Sequence, residues 1–117
     1  MSEPPSSSSS QLIRIPIVLA LDCSPSFLAR CRRVAARARF LVRSCEAASA
    51  WAVAVRLRPL AIVLPSHLHD RAPRTFELLA EDAGARLVVV ESEQLPAGEL
   101  EGHITHAIGE ASRARGA

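Results

Sequence analysis

The sequence predicts an α/β domain: a parallel sheet with helices on both of its faces. Three observations carry this expectation. Four short apolar runs, at residues 15–21, 40–42, 60–64 and 87–90, alternate with stretches whose apolar residues recur at helical spacing. The longer runs show no polar alternation, as in strands buried on both faces. Hydrophobic residues make up 49% of the chain but Phe, Trp and Tyr only 3%, so the core must be aliphatic, which suits a sheet between helices.

At 117 residues the chain is long enough for one domain, expected over residues 12–113. Residues 1–11, rich in Ser and Pro, carry no hydrophobic period and are expected to form a disordered tail. Residues 114–117 are expected to fray. The run Ile15-Pro16-Ile17-Val18-Leu19-Ala20-Leu21, ended by Asp22, is the first strand. Ser24 and Pro25 then open a helix: the serine oxygen can accept from free backbone N–H groups, and proline tolerates the first helical position. Phe27, Leu28, Cys31, Val34, Ala35 and Ala38 form its inner face, with Arg30, Arg33 and Arg37 toward the other.

Phe40-Leu41-Val42 reads as a short second strand, and Ser44 as the cap of a second helix with Ala48, Trp51, Ala52 and Val55 inside. Pro59 stops that helix before the strand Leu60 to Leu64, which Pro65 ends. Ser66-His67-Leu68-His69-Asp70 reads as a loop. Pro73 opens a third helix with Phe76, Leu79 and Ala83 inside, and Gly84 stands where a left-handed cap belongs. Leu87 to Val90 is the fourth strand. A last helix from about Pro96 or Gly98 carries Leu100, Ile104, Ala107, Ile108 and Ala111 on one face.

Composition removes several functions. With 14 basic and 12 acidic residues the net charge is +2, which gives no ground for a nucleic-acid partner. Every basic residue is Arg, so Schiff-base chemistry and the phosphate-loop Lys are both excluded. Cys23, Cys31 and Cys45 fit neither a redox pair nor a zinc knuckle, and a reduced, cytoplasmic chain is expected. The N-terminal apolar run is far shorter than the roughly 20 residues of a membrane helix, and no export signal or membrane association is expected.

Residues 17–25, Ile-Val-Leu-Ala-Leu-Asp-Cys-Ser-Pro, and then Glu46-Ala47-Ala48 and Arg58-Pro59-Leu60-Ala61-Ile62-Val63-Leu64-Pro65, give the chain its likeness to a known family. In the order and spacing of these segments it resembles the receiver domains of bacterial response regulators. The resemblance covers residues 13–92 and, more loosely, the last helix. It implies a doubly wound flavodoxin-like sheet, whose usual strand order is 2-1-3-4-5. Here only a few residues separate Val90 from the last helix, too few for a crossover of at least about 10–12 residues. The fourth-helix and fifth-strand unit is therefore expected to be missing, leaving four strands in the order 2-1-3-4.

The resemblance also implies a chemical site, and this sequence departs from it. Receivers hold Mg²⁺ with two acids after the first strand, of which only Asp22 remains, because Cys23 takes the second position. The phosphoacceptor position falls on Pro65, with Asp70 as the alternative in the following loop. Glu91 or Ser92 takes the hydroxyl position, and the family's Lys is missing. One carboxylate anchors Mg²⁺ poorly and proline has no nucleophile, so neither Mg²⁺ nor any other cofactor is expected.

Other candidates have plainer explanations. Cys23 at a helix start could be activated, but the phosphatase spacing Cys-x5-Arg is not met, since Arg30 lies one residue too far. His67 and His69 could join Asp22 on a metal, yet a solvated loop accounts for them; His103 and His106 lack the spacing and companion Glu of a helical zinc pair. Trp51 reads as core. The expectation is therefore a pseudo-receiver that binds a protein partner independently of phosphorylation and is not an enzyme. Its candidate contacts are Arg30, Arg33, Arg37 and the edge at Val88 and Val90, through which a second copy could pair. The competing expectation is a small metal- or cysteine-dependent enzyme, which requires Asp22, Cys23, His67 and His69 to converge. A shortened relic without independent function is the third.

Overall fold

The computed structural model describes residues 15–116; the expected N-terminal tail lies outside them. Its elements are β1 (Ile17–Leu21), α1 (Pro25–Ala38), β2 (Leu41–Cys45), a 3₁₀ turn (Ala47–Ser49), α2 (Ala50–Leu57), β3 (Ala61–Pro65), α3 (Ser66–Arg71), α4 (Pro73–Ala83), β4 (Arg86–Val90) and α5 (Ala97–Gly116). The four strands form one all-parallel sheet in the order β2-β1-β3-β4. The alternation of elements predicts the parallel sheet covered on both faces, and the order is the flavodoxin-like one that the resemblance implies.

The alternation of side chains along each strand divides the interior into two cores. Val18 and Ala20, Ala61 and Val63, and Val88 and Val90 face α1 and α5, where they meet Phe27, Cys31, Val34, Leu100 and Ile104. Leu19, Leu21, Ile62 and Leu64 face the other way, onto Ala50, Ala54, Phe76 and Leu79 of α2 and α4. Central strands β1 and β3 thus bury both faces, which is why their sequences run apolar without a break.

Local chemistry sets the ends of the helices. Ser24 Oγ accepts from Phe27 N at 3.2 Å and Pro25 takes the first turn of α1, as the sequence predicts. Gly84 closes α4 at φ 70°, a left-handed position that glycine adopts without a Cβ penalty. Arg39 and Arg58 close α1 and α2 in the same region.

Several expectations need correction. β2 spans Leu41–Cys45 rather than residues 40–42, and Ser44 lies within it, pairing with Ala20, so it caps no helix. Within α2 the buried residues are Ala50 and Ala54, whereas Trp51 and Val55 remain 38% and 59% exposed. The helix is apolar nearly all round, and the side with the smallest residues lies closest to the sheet. Residues 66–70, read as a loop, lie in the short helix α3, which continues to Arg71 and buries Leu68. α5 continues to Gly116, past the expected domain end at residue 113. Arg115 fastens it: Nη2 donates to Pro59 O at 2.8 Å and Ala83 O at 2.6 Å, Nε to Gly84 O at 3.1 Å, and Nη1 to Arg58 O at 3.3 Å.

Candidate functional site

In an open parallel sheet, ligands bind beyond the C-terminal ends of the strands where the strand order reverses, which in this sheet is between β1 and β3. Asp22 follows β1 at φ 51°, a left-handed conformation that Asp tolerates better than most residues. Its N–H donates to Cys45 O at 3.1 Å, and its Oδ1 accepts from Ala47 N at 3.2 Å. The carboxylate therefore ties the end of β1 to the turn before α2. The shallow depression there, about 270 Å³, is lined by Asp22, Cys23, Leu28, Ser44, Cys45 and Glu46.

Cys23 Sγ lies 3.5 Å from Leu21 O. Burial first, then the neighbouring Cys31, Glu93 and Asp22, push its thiol up to about 12. Burial likewise pushes Cys31 up to about 11, against the pull of Arg30 and Arg32. Cys45 is also raised, by burial and by Asp22 and Glu46. None of these environments favours a thiolate at neutral pH, burial opposing whatever the helix start contributes at Cys23.

The N-terminus of α1, where an anion would bind, already holds one. Glu93, from the connection between β4 and α5, accepts from Ser24 Oγ at 2.6 Å and from Ser24 N at 3.2 Å. Arg30 locks the same connection in place by donating to the backbone oxygens of Glu93 and Leu95. The helix's partial positive charge is thus met by the chain's own carboxylate. Sequence reasoning found Ser24 but missed Glu93, because a cap supplied from 69 positions away leaves no local signature.

Pro65 ends β3, fully paired in register with Val90, and leads directly into α3. Asp70 lies toward the far end of α3 from that strand, its side chain 78% exposed and its Oδ1 3.8 Å from His69 Nδ1. Ser92 Oγ accepts from Gln94 N at 3.0 Å within its own loop. Among the described residues no group of three or more His, Cys, Asp or Glu side chains is placed to hold a metal ion. His67 and His69 ride on α3, and neither joins Asp22 and Cys23 in lining the depression.

The interaction candidates are redistributed as well. Arg30 is spent on backbone oxygens, Arg37 pairs with Glu101 on α5 at 2.7 Å, and Arg33 stays exposed. Val88 and Val90 turn their side chains into the core, so the β4 edge presents its backbone and the half-exposed Val89 instead. Beside that edge runs a groove of about 350 Å³, lined by Arg86, Val88, Val89, His103, His106 and Glu110. The two histidines stand on the outer flank of α5, away from the strand ends. Comparison with protein-family models, curated proteins and solved structures finds no match to this chain.

Proposed function

We propose that this chain is a receiver-like pseudo-domain that binds a protein partner and is not switched by phosphorylation. The observation that supports the proposal is the strand-end geometry: Pro65 ends β3, where the resemblance would put the phosphoacceptor, and Glu93 occupies the N-terminus of α1. A phosphoryl group would find no nucleophile there, and a carboxylate already in the place where an incoming anion would be stabilised. Function then falls to the surface, where the β4 edge and the groove beside it offer unpartnered backbone and the half-exposed Val89.

We extend the proposal to signalling in a reducing compartment such as the bacterial cytoplasm. Cys23, Cys31 and Cys45 are unbridged, which fits such a compartment. Among the described residues no helix is long and apolar enough to cross a membrane. The test is incubation of the full chain with Mg²⁺ and acetyl phosphate, read by intact mass. An unchanged mass is expected; a phosphorylated species mapped to Asp22 or Asp70 would overturn the proposal.

A further inference from the structure

The two edges of the sheet differ. Each edge strand carries one charge, but on β2 it is the central Arg43, followed by the exposed Ser44, whereas on β4 it is Arg86 at the start, followed by the unbroken apolar run Leu87-Val88-Val89-Val90. No proline, glycine or bulge interrupts β4, and all five residues stay in register with β3. Natural edges are ordinarily protected by such devices. An unprotected edge of this kind is a template for another strand.

Resting on the interaction-module proposal above, we infer that the partner at this edge is a second copy of the same chain, paired antiparallel, β4 to β4. The argument is self-complementarity under a two-fold axis through Val88. Leu87 of each copy falls opposite Val89 of the other, giving apolar cross-strand pairs on the α4 side. On the other side, α5 presents one stripe along the edge: Glu99, His103, His106, Glu110 and Arg113, spaced for a single helical flank. His103, His106 and Glu110 line the groove together with Val88.

Arg86 lies 3.9 Å from Glu110, and at about 1.5 Å per helical residue against about 3.3 Å per strand residue this sets His106 about level with Val88, so residues seven positions before and seven after it face each other across the copies. These are Glu99 and Arg113, both exposed and opposite in charge. The symmetry forms the Glu99–Arg113 pair twice. Within its own chain Arg113 already holds Glu110 at 2.7 Å, so its guanidinium would bridge two carboxylates in the pair of copies. Arg86, two residues before Val88, falls opposite Val90 of the second copy, on the side where that copy's α5 carries Glu99 in its first turn. A foreign strand would satisfy the edge's hydrogen bonds, but it would not supply this charge pattern.

The test is sedimentation equilibrium of the full chain and three variants, each checked for folding by circular dichroism. The wild type is expected to dimerise, and Val89→Lys, which places a charge against Leu87 of the second copy, to sediment as a monomer. Glu99→Arg sets two like-charge contacts in place of two attractive ones and is expected to weaken the dimer by about tenfold, less at high salt. Adding Arg113→Glu to Glu99→Arg is expected to recover most of that loss, a readout that only this antiparallel register supplies. A monomeric wild type up to sub-millimolar concentration, or a dimer indifferent to Val89→Lys, would overturn the inference. Neither result bears on the acetyl phosphate test, so the two proposals can fail separately.

Discussion

Ser24 holds the start of α1 from both directions. Its hydroxyl accepts from Phe27 N and donates to Glu93, while its own N–H reaches the same carboxylate. Ser24→Ala removes the cap and the hydroxyl's bond to Glu93, and should lower unfolding free energy by about 1 kcal/mol in urea denaturation. Asp22 is a contrasting case. If its carboxylate serves only to receive Ala47 N, Asp22→Asn keeps both the acceptor and the tolerance of a left-handed backbone, and stability should stay within about 0.5 kcal/mol. Gly84 is less forgiving: at φ 70° an alanine is strained, and Gly84→Ala should cost about 1–2 kcal/mol. The thiols set the alkaline behaviour. Their folded pKa values lie above the ordinary 9.0, with Cys23 near 12 and Cys31 near 11. Their contribution to stability is therefore complete below about pH 9 and is lost as pH rises through the folded values. Alkylation of Cys23 by iodoacetamide should stay slow through pH 9. Rapid labelling at pH 7 would reveal an activated thiol.

Individual elements show where a sequence carries its own geometry and where it does not. α1 was legible throughout, because Ser24-Pro25 marks its start and the Phe27, Cys31, Val34 period leaves one choice of buried face. α2 was not. Its sequence, Ala-Trp-Ala-Val-Ala-Val-Arg-Leu, offers apolar residues on every side, and periodicity cannot choose among them. Packing chose the Ala50 and Ala54 side, leaving Trp51 Nε1 to donate to Asp82 on α4 at 3.1 Å. The C-terminal turn of α5 was equally hidden, since the carbonyls that Arg115 gathers belong to Arg58, Pro59, Ala83 and Gly84. Arg115→Met retains much of the side chain's apolar bulk while removing these bonds, and should cost about 2 kcal/mol. Hydrogen exchange should then quicken at the end of α5 and around Pro59 and Gly84. The candidate site divides in the same way. The absence of a nucleophile at Pro65 could be read from the sequence, whereas the Glu93 closure depends on a contact between distant segments.

For the whole molecule, four strands place β1 and β3 between two separate aliphatic cores. Leu19 and Ile62 are fully buried in the core under α2 and α4, and truncating either to alanine should cost about 3 kcal/mol. The short connection after β4 has a direct structural consequence. With six residues between Val90 and Ala97, α5 packs back beside α1 and leaves β4 as an open edge. The same short connection that leaves β4 at the edge carries Glu93 to the N-terminus of α1. If the strand-end site is closed, a phosphoryl mimic should have nowhere to bind. The most direct measurement is an amide NMR titration of the full chain with Mg²⁺ and beryllofluoride, following Asp22, Cys23, Ser24, Ser66 and Glu93. Unchanged resonances at these positions are the expected result. Saturable shifts centred on Asp22 and Ser24 would show that the site opens to a phosphoryl group, contradicting an interaction module that works without phosphorylation.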